Sequence, residues 1–511
     1  MSKTKLIRST GIIAAATAMS RVLGFARDII FANFLGTSAA AQAFVVAFKI
    51  PNALRDLVGE GAANAAVVPV LSECRTLQGD REFIRISQVL FNISFVVLSV
   101  LTVLGVAFSP AVIRMVAPGF SREPALFALT VHLNRVIFPY LVLIGLTASS
   151  MGILNAIHHF AAPAFGSCLL NIALIATTML YPWIGVTGLA VGVLVGGALQ
   201  LALNVRVMYR KGIAIDARGS IRHPAVDKIG RLLVPRILGS AVYQLNVFVS
   251  TILASFSWIV GSGAIAALYY ANRLVQFPLA IFGIALAQAA LPKMSQEFAA
   301  KDIERFKDTL SFSLRSVLFV MLPASFGLAV LGRPIVRVLF ERGEFTAYST
   351  AITESALFYY VFGLCAYGGV KLLVSSFYSM HDTKTPVKAA FVSLVINIAA
   401  SLIFMWRLKL GGLALATSIS AFCNFMILYV LLERKLGDFG RRRIIDSFLR
   451  CLGASIIMAV ALKALLAINP DIGAFALFTF IAVSIAVFLA AAYLFKAEEI
   501  RSFIAWASKR R

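Results

Sequence analysis

Apolar residues fill the chain in blocks of about twenty or more positions, with short polar stretches between the blocks. A helix of that length spans the roughly 30 Å hydrocarbon core of a bilayer. The blocks predict fourteen membrane-spanning helices, at 11–35, 40–72, 86–109, 126–156, 164–183, 185–208, 231–259, 263–294, 309–332, 348–379, 387–406, 411–433, 447–467 and 472–495. The pattern therefore predicts an all-α polytopic membrane protein.

The first predicted helix carries three charges in the middle of its apolar stretch, Arg21, Arg27 and Asp28. An ionised side chain at the centre of a bilayer costs roughly 2.5 to 3.5 kcal/mol, so such groups normally face a bundle interior or a wet cavity. At about 100° per residue these three lie on nearly one face of the helix. Gly24, between them, allows a close approach or a bend. We expect the helix to line a cavity; two arginines reaching to the headgroups are the alternative.

Further charges lie inside the second and eighth predicted helices. They are Lys49, Arg55, Asp56 and Glu60 in the second helix and Arg273 in the eighth. Together with the first helix, these spans hold five cations and three anions. The surplus of positive charge suits an anionic ligand, and the planar arginine fork suits phosphate oxygens especially well. Buried structural ion pairs are the alternative, but they account for only three of the five cations.

The 511 residues are 60% hydrophobic and only 14% charged, yet the chain has a net charge of +24. Most of the 47 lysines and arginines fall in alternate loops, starting with the N-terminal segment, which is the positive-inside pattern. It predicts that both termini and the segment 209–230 are cytoplasmic. The loops near Arg122 and Arg342 are then external. The basic runs Arg441–Arg443 and Lys509–Arg511 are expected to lie near the headgroups of membrane lipids, and nucleic-acid binding is not expected.

The sequence offers no recognisable catalytic or metal-binding motif. Its five cysteines form no CxxC pair, so that neither a disulfide nor a zinc site is indicated. A Walker loop, an HExxH motif and a Gly-x-Ser-x-Gly motif are also missing. We therefore predict no catalytic residue, no metal and no cofactor, and expect a protein that is not an enzyme.

The two halves of the chain match at a fixed shift of 223 residues, without gaps. The matched pairs include Pro69 and Pro292, Arg114 and Arg337, His158 and His381, Pro163 and Pro386, and Gly188 and Gly411. Each unit has six helices, an even number, so the two units should be parallel repeats. We expect a first lobe at 1–210, a cytoplasmic linker at 211–230, a second lobe at 231–435, and two C-terminal helices with a basic tail at 436–511.

Departures from this repeat single out the first lobe. At the same shift, Arg21 pairs with Gln244, and Arg27 pairs with Ser250. The first lobe is charged where the second is only polar. Because function need not be symmetric where architecture is, these charged positions are the strongest candidates for a binding site.

Four runs of residues are similar to the MurJ (MviN) family of bacterial lipid II flippases. They are Ser20–Asp28, Ala47–Asn52, Glu60–Ala62 and Tyr269–Leu274, and the likeness extends over essentially the whole chain. The resemblance implies the multidrug/oligosaccharidyl-lipid/polysaccharide exporter fold. In this fold two MATE-like six-helix lobes surround a central cavity, and helices 13 and 14 form a groove for the lipid tail. The implied location is the bacterial cytoplasmic membrane.

The substrate implied by the resemblance is lipid II, the undecaprenyl-pyrophosphate-linked disaccharide pentapeptide of peptidoglycan. The implied pyrophosphate-binding residues of the cavity are Arg21, Arg27, Arg55 and Arg273. The supporting cavity residues are Asp28, Lys49, Asn52, Glu60 and Asn272. Many relatives carry an acidic residue where Gln42 and Asn272 stand here, so a coupling role for those two carboxylates does not carry over to this chain.

The mechanism implied is alternating access, in which the pyrophosphate and sugars cross inside the cavity while the polyprenyl tail stays in lipid. The membrane potential and a Na⁺ or H⁺ gradient both stay open as the energy source. We expect a monomer, with other proteins of cell-wall synthesis as partners.

Three other functions stay open at this point. A drug or cation antiporter of the same fold would need a net acidic cavity, and the predicted cavity is basic. A membrane-embedded glycosyltransferase or phosphatase would need acids free to bind metal or act as bases. A flippase for another polyprenyl-pyrophosphate glycan, such as O-antigen units, has the same charge requirement, and only the first-helix motif and the two extra helices argue against it.

Overall fold

The structure, a computed structural model, describes residues 3–55, 64–216, 223–469 and 472–500, and the regular secondary structure in these ranges is helical. The helices are α1 (Lys3–Leu35), α2 (Ala39–Arg55), α3 (Asn64–Gln78), α4 (Asp80–Ala107), α5 (Ser109–Val116), α6 (Pro124–Ile137), α7 (Tyr140–Ala156), α8 (Ala161–Met179), α9 (Tyr181–Arg210), α10 (Pro224–Ala254), α11 (Ser257–Val260), α12 (Ala264–Pro278), α13 (Ile284–Ala299), α14 (Ile303–Phe340), α15 (Ala347–Val361), α16 (Leu364–Ser379), α17 (Lys384–Leu408), α18 (Leu410–Leu436), α19 (Arg441–Ile468) and α20 (Ala474–Leu494). The all-α prediction is confirmed.

Fewer helices qualify as membrane spans than the sequence pattern predicts. In the described part of the chain, ten helices are long and apolar enough to cross a bilayer, and α15 with α16 gives an eleventh if this bent pair is one span. The 17 residues of α2 are apolar but shorter than that test requires. The coarser prediction, a polytopic helical membrane protein, is therefore supported, and the number fourteen stays a prediction.

Proline interrupts two of the helices that were predicted to be continuous. The predicted helix 126–156 is divided into α6 and α7 next to Pro139, which cannot donate a backbone hydrogen bond. The predicted helix 263–294 passes through a π-helical turn, Leu279–Gly283, directly after Pro278. Apolar residues continue on both sides of each break, so the hydropathy pattern does not reveal it.

Two further predicted helices are also divided. The predicted helix 348–379 bends by 49° between α15 and α16. At this bend a Cβ atom on Gly363 would lie 2.8 Å from Ser418 Oγ, so glycine lets α18 approach closely. The predicted helix 40–72 corresponds to α2 and α3, and residues 56–63 lie outside the described residues.

The turns that follow α7 and α16 have the same backbone geometry. His158 and His381 adopt left-handed conformations, with φ of 61° and 59°. In both turns the next amide donates to the carbonyl five residues before it, at 2.9 Å, as in a Schellman motif. The two histidines are separated by the same offset as the sequence duplication, so both halves end this helix in one way.

The chain divides into two compact units by its internal contacts. The first contains the chain up to Ser255 together with residues 342–344, and the second contains residues 256–341 and the chain from Phe345 onward. The first unit has a core of fully buried aliphatic side chains from α3, α4 and α7. Leu71, Ile86, Ile153 and Leu154 are among them.

The helix α10 packs within the first unit, against α3, α4 and α5. Two polar contacts accompany this packing: Glu82 Oε1 lies 2.8 Å from His223 Nε2, and Lys228 Nζ donates to Glu73 Oε2 at 2.7 Å. The sequence repeat assigns most of α10 to the second lobe, which was predicted to begin at residue 231. The repeat is defined by sequence similarity, whereas the two units are defined by contacts, and the two need not have the same boundaries. The predicted domain boundaries therefore stay a prediction.

Residues 342–344 belong to the first unit although the chain on both sides of them belongs to the second. The Glu344 amide donates to the Asn33 carbonyl at 2.9 Å, beside the end of α1. Gly343 has φ of 55°, and a Cβ atom on it would lie 2.3 Å from the same carbonyl oxygen. Both the conformation and the close approach require glycine here.

In the second unit, the last two helices pack against α14. The rings of Phe319 and Phe488 lie 5.2 Å apart, between α14 and α20. Arg315 of α14 is buried, donates a hydrogen bond to Glu498 and lies 3.4 Å from Glu499. The C-terminal helices, which are outside the duplication, are thus attached by both an apolar and an ionic contact.

Candidate substrate-binding site

The charges near the middle of α1 form a buried cluster with α8. Arg27 Nε and Nη2 donate to Asp28 Oδ1 at 3.1 Å and 2.7 Å, and Arg27 Nη1 donates to Asn171 Oδ1 at 3.1 Å. Asn171 Nδ2 in turn donates to the Ser20 carbonyl at 3.1 Å. The side chains of Arg27 and Asp28 are only 14% and 4% exposed. The predicted proximity of these two charges is present.

This cluster orients the Arg27 guanidinium from two sides. One acid balances its charge, and a neutral amide on the neighbouring helix fixes its plane. Sequence reasoning did not identify Asn171. A signal was available, because Asn171 is a polar residue inside an apolar helix, and the 223-residue shift places Leu394 opposite it.

Arg21 and Asp28 differ in exposure, although the helical spacing put them on nearly one face. The Arg21 side chain is exposed and Asp28 is buried. Gly24 is not needed for the approach of α8, because a Cβ atom there would lie 3.7 Å from Asn171 Nδ2, an ordinary contact. The helix α1 continues through Gly24 without a break.

The charges of α2 are described only in part. Lys49 Nζ donates to Thr251 Oγ1 of α10 at 2.6 Å, and Asn52 is half-buried. Arg55 is the last residue of α2, and its side chain lies outside the described residues, as does all of Glu60. Among the described residues of the first unit, Lys49 therefore donates to a hydroxyl group and has no recorded contact with a carboxylate.

In the second unit, Arg273 is held by Tyr269, one turn earlier on α12. Its Nη2 donates to the Tyr269 hydroxyl at 3.2 Å, and the guanidinium carbon lies 4.9 Å from the ring centroid. A cation above an aromatic face is attracted by the ring quadrupole. This contact orients the guanidinium through a neutral side chain of the same helix.

Neutral amides occupy the two positions where acids were considered. Asn272 is exposed, and its Oδ1 accepts a hydrogen bond from Gln276 Nε2 at 2.8 Å. Gln42 is buried in α2, with 6% of its surface exposed. Neither side chain can titrate, so neither position can carry a proton in this chain.

The candidate residues thus form three groups. Arg27 joins Asp28, and Lys49 joins Thr251, in the first unit; Arg273 joins Tyr269 in the second. Each group presents a cation with fixed hydrogen-bond donors, which is suited to anion binding. Throughout the described ranges, no group of three or more His, Cys, Asp or Glu side chains could hold a metal ion.

Comparison with protein families gives one match across most of the chain. The family model described as lipid II flippase MurJ matches residues 31–485. A probable lipid II flippase MurJ of Vibrio cholerae is 37% identical over 440 residues, which cover 83% of this chain and 82% of that protein. The lipid II flippase MurJ of Burkholderia cenocepacia is 33% identical over 465 residues and covers 89% of both chains.

Solved structures give a consistent result. A structure of lipid II flippase MurJ in an inward closed conformation superposes with a TM-score of 0.81 at 28% identity, covering 96% of this chain and 99% of that one. An inward-facing MATE-family multidrug resistance transporter superposes with a TM-score of 0.72 at 14% identity, covering 82% and 96%. The second match concerns the fold alone.

Proposed function

Because the chain belongs to the MurJ family of lipid II flippases, we infer that it moves lipid II from the cytoplasmic to the outer leaflet of the bacterial inner membrane, for peptidoglycan synthesis. It is a multi-pass transporter and not an enzyme. The family resemblance read from the sequence is confirmed by this membership.

We propose that two parallel six-helix lobes surround a central cavity and expose it alternately to each side of the membrane. The 223-residue duplication supports this arrangement, as do the matching turns at His158 and His381. The likeness to a MATE-family transporter supports the same fold. The pyrophosphate and sugars would cross in the cavity while the polyprenyl tail remains in lipid.

The single observation that carries the binding site is the fixed orientation of Arg27 and Arg273. Each guanidinium is held by a side chain of its own helix, and both lie inside apolar helices. Arginine in this state offers several aligned donors to phosphate oxygens. We propose that Arg21 and Arg55 complete the pyrophosphate site. The proposed supporting residues are Asp28, Lys49, Asn52, Glu60 and Asn272.

The charge of these groups disfavours a cation antiporter. Among the described candidates, Arg21, Arg27, Lys49 and Arg273 are cationic, and Asp28 is the acid. A cavity of that composition would repel a cationic drug. A flippase for another polyprenyl-pyrophosphate glycan would use the same donors, so this second function is separated from the first only by experiment.

Membrane orientation and energy source are parts of the same proposal. Both termini would be cytoplasmic, with α19 and α20 contacting the lipid tail. The membrane potential, negative inside, would act on the cavity cations with about 2.3 kcal/mol per elementary charge per 100 mV. A Na⁺ or H⁺ gradient is the other candidate, and we propose a monomer that needs no cofactor.

The test is depletion of the protein in its own host, with lipid II quantified separately on the two leaflets. We expect lipid II to accumulate on the cytoplasmic leaflet and to disappear from the outer one, and complementation with the intact gene to restore both. Unchanged lipid II on the outer leaflet, with accumulation of a different polyprenyl-pyrophosphate glycan, would assign the second function instead.

A further inference from the structure

Lys371 is a charge inside the bent helix pair α15–α16, a candidate membrane span, and it is not among the candidate cavity residues named above. It lies in α16, eight residues before the end of that helix at Ser379. At 1.5 Å per residue the distance to the helix end is about 12 Å, so its Cα lies within the hydrocarbon region. The 223-residue shift places Ala148 opposite it, so this cation belongs to the second lobe alone.

The surroundings of α16 leave one side of the helix open. Cβ atoms on two of its glycines would touch neighbouring helices: one on Gly368 would lie 2.8 Å from Val317 of α14, and one on Gly369 would lie 2.5 Å from Phe425 of α18. On a further side, a Cβ atom on Gly283 would lie 3.4 Å from the Cα of Gly368. Packing at these glycines therefore covers α16 on several sides.

The open side is polar. In α16, whose residues are all described, Lys371 and Tyr378 are exposed, and the other residues are buried or half-buried. These two residues are seven positions apart, so they lie on one face of the helix. Ser375, between them, donates its hydroxyl to the Lys371 carbonyl at 3.0 Å. A cation, a phenol and a hydroxyl thus share the exposed face.

A surface that faces lipid has a different composition in this protein. On the next helix, α17, the exposed residues between Ala389 and Met405 are apolar. They include Phe391, Val395 and Ile403, which are 56%, 52% and 67% exposed. An ionisable residue inside a membrane normally faces a water-filled cavity or a bundle interior. The contrast indicates that the face of Lys371 meets water and not acyl chains.

We propose that Lys371 is a further cation of the transport pathway, which binds phosphate oxygens of the substrate in the cytoplasmic half of the membrane. This inference rests on the proposed lipid II transport. The helices α12 and α16 run in the same direction: α12 continues through the π-helical turn into α13, α15 is paired with α16, and the one long helix α14 lies between these two pairs. Gly283, in the π-helical turn after α12, lies beside Gly368 of α16. Ten residues separate Arg273 from Gly283 and three separate Gly368 from Lys371, so the two cations are about 20 Å apart along the helix direction.

Two cations at different depths could hold the pyrophosphate in succession. Lys371 would meet the headgroup first, when the substrate enters from the cytoplasmic leaflet, and Arg273 would hold it nearer the outer side. An ammonium on a flexible stem suits a transient contact, whereas the oriented guanidinium of Arg273 suits a defined one. The pathway would then have two successive phosphate-binding sites, an entry site at Lys371 and an inner site at Arg273.

The first experiment measures binding to the purified full-length protein, with undecaprenyl pyrophosphate and phosphatidylglycerol as separate probes. We expect Lys371→Met to weaken binding of the pyrophosphate lipid roughly 10- to 150-fold and to leave phosphatidylglycerol unchanged. Lys371→Arg should retain most of the affinity. Lys388→Met, which removes an exposed lysine from the start of α17, is the matched control and should behave as wild type.

Equal weakening for both lipids would mean that Lys371 reaches ordinary headgroups, and no weakening would mean that it touches no phosphate. Either result overturns the proposal. If Lys371→Met is normal while Arg27→Ala is weakened, this inference fails and the proposed function stands. If the wild-type protein does not bind the pyrophosphate lipid, the proposed function itself fails.

A second experiment does not depend on the stability of Lys371→Met. Lys371→Cys should react with a water-soluble thiol reagent, because only a hydrated thiolate is reactive. The same reagent should not label Val395→Cys on the apolar face of α17, and labelling of the five native cysteines in wild type gives the background. Undecaprenyl pyrophosphate should slow the reaction. Labelling of Lys371→Cys no faster than Val395→Cys would place Lys371 in lipid and overturn the proposal.

Discussion

The contacts of Arg27 combine a structural ion pair with a candidate substrate contact. Its guanidinium donates hydrogen bonds to Asp28 and Asn171. The side chain is still 14% exposed, so an anion could reach it. Substituting alanine removes both kinds of contact at once. The two contributions can be separated only if the acid is neutralised in the same protein.

For Arg27→Ala we expect loss of a charge-assisted contact worth roughly 1.5 to 3 kcal/mol, which lowers substrate affinity about 10- to 150-fold. Arg27→Lys should restore function only in part, since an ammonium lacks the planar fork. Growth complementation and protein abundance in the membrane are measured together. A purely structural pair predicts low abundance of Arg27→Ala and recovery in the Arg27→Ala/Asp28→Asn double variant; that recovery, or normal growth of Arg27→Ala, would contradict the binding role.

At the scale of single residues, the sequence identified the charges but not their neutral partners. Arg27, Asp28 and Arg273 stand out because a charge in an apolar helix is rare. Asn171 and Tyr269 stand out less than a charge does, and only the fold shows that each contacts an arginine. A rare residue type is visible in a sequence, whereas the identity of its partner depends on which helices are neighbours.

At the scale of elements, the turn between α16 and α17 is held by hydrogen bonds to one carboxylate, Asp382. After α16, burial acts to raise the pKa of Asp382, but hydrogen bonds from Lys435 and Thr385 outweigh it and hold the pKa at about 2. This value lies below the ordinary 3.8. The ionised carboxylate therefore adds stability above about pH 4, and that contribution is lost as the pH falls toward 2.

We expect Asp382→Asn to unfold at a lower temperature than wild type at pH 7, with the difference shrinking as the pH approaches about 2. Thermal unfolding of the purified protein at several pH values measures this. Lys435→Met, which removes the principal partner, should show a weaker pH dependence than wild type. A difference between Asp382→Asn and wild type that stays constant over the whole acid range would show that the charge of Asp382 is not what stabilises the turn.

The turn at Gly343 depends on backbone conformation and on space. Alanine at Gly343 would meet both a left-handed φ, which costs about 1 kcal/mol, and the Asn33 carbonyl at 2.3 Å. Gly212 is a matched control, since its φ of 77° is also left-handed and nothing lies within 4 Å of its Cβ position. We expect Gly343→Ala to lower the unfolding temperature clearly more than Gly212→Ala. Equal effects would show that the contact with Asn33 contributes nothing.

Most elements could be predicted from the pattern of apolar residues, and their interruptions could not. The pattern reports whether a segment prefers lipid, and Leu279–Gly283 is as apolar as the helices on either side of it. Pro139 and Pro278 mark two of the breaks, but proline also occurs within α14, at Pro323, without ending that helix. Whether a proline breaks a helix depends on neighbouring helices that can satisfy the freed carbonyl groups.

The orientation of the whole molecule is expected to follow the loop charges. Both termini and the segment 209–230 should be cytoplasmic, while the loops near Arg122 and Arg342 should be external. Fusions of reporters that are active on only one side of the membrane, placed after each loop, measure this. A reporter that requires the external side and is active at Lys509 would contradict the predicted orientation.

The duplication was visible in the sequence, whereas the division into units was not. A gapless shift of 223 residues compares residue types, and it assigns α10 to the second repeat. The contacts place α10 in the first unit, with Glu73 and Glu82 bound to residues at its start. The residue that the 223-residue shift places opposite each of these glutamates is not acidic, so the second repeat cannot form the same contacts. The shift alone could therefore not predict where α10 packs.

The hydrogen bond between Glu344 and Asn33 also bears on biosynthesis. The ribosome adds about 5 to 20 residues per second, so roughly ninety residues after Ser255 take on the order of 5 to 20 s to appear. Four helices, α11 to α14, are made in that interval. Until they have been inserted, the Asn33 carbonyl lacks its donor from Glu344, however early the preceding helices have assembled. A nascent chain stalled near Ser255 would therefore carry a first unit that lacks the hydrogen bond between Glu344 and Asn33.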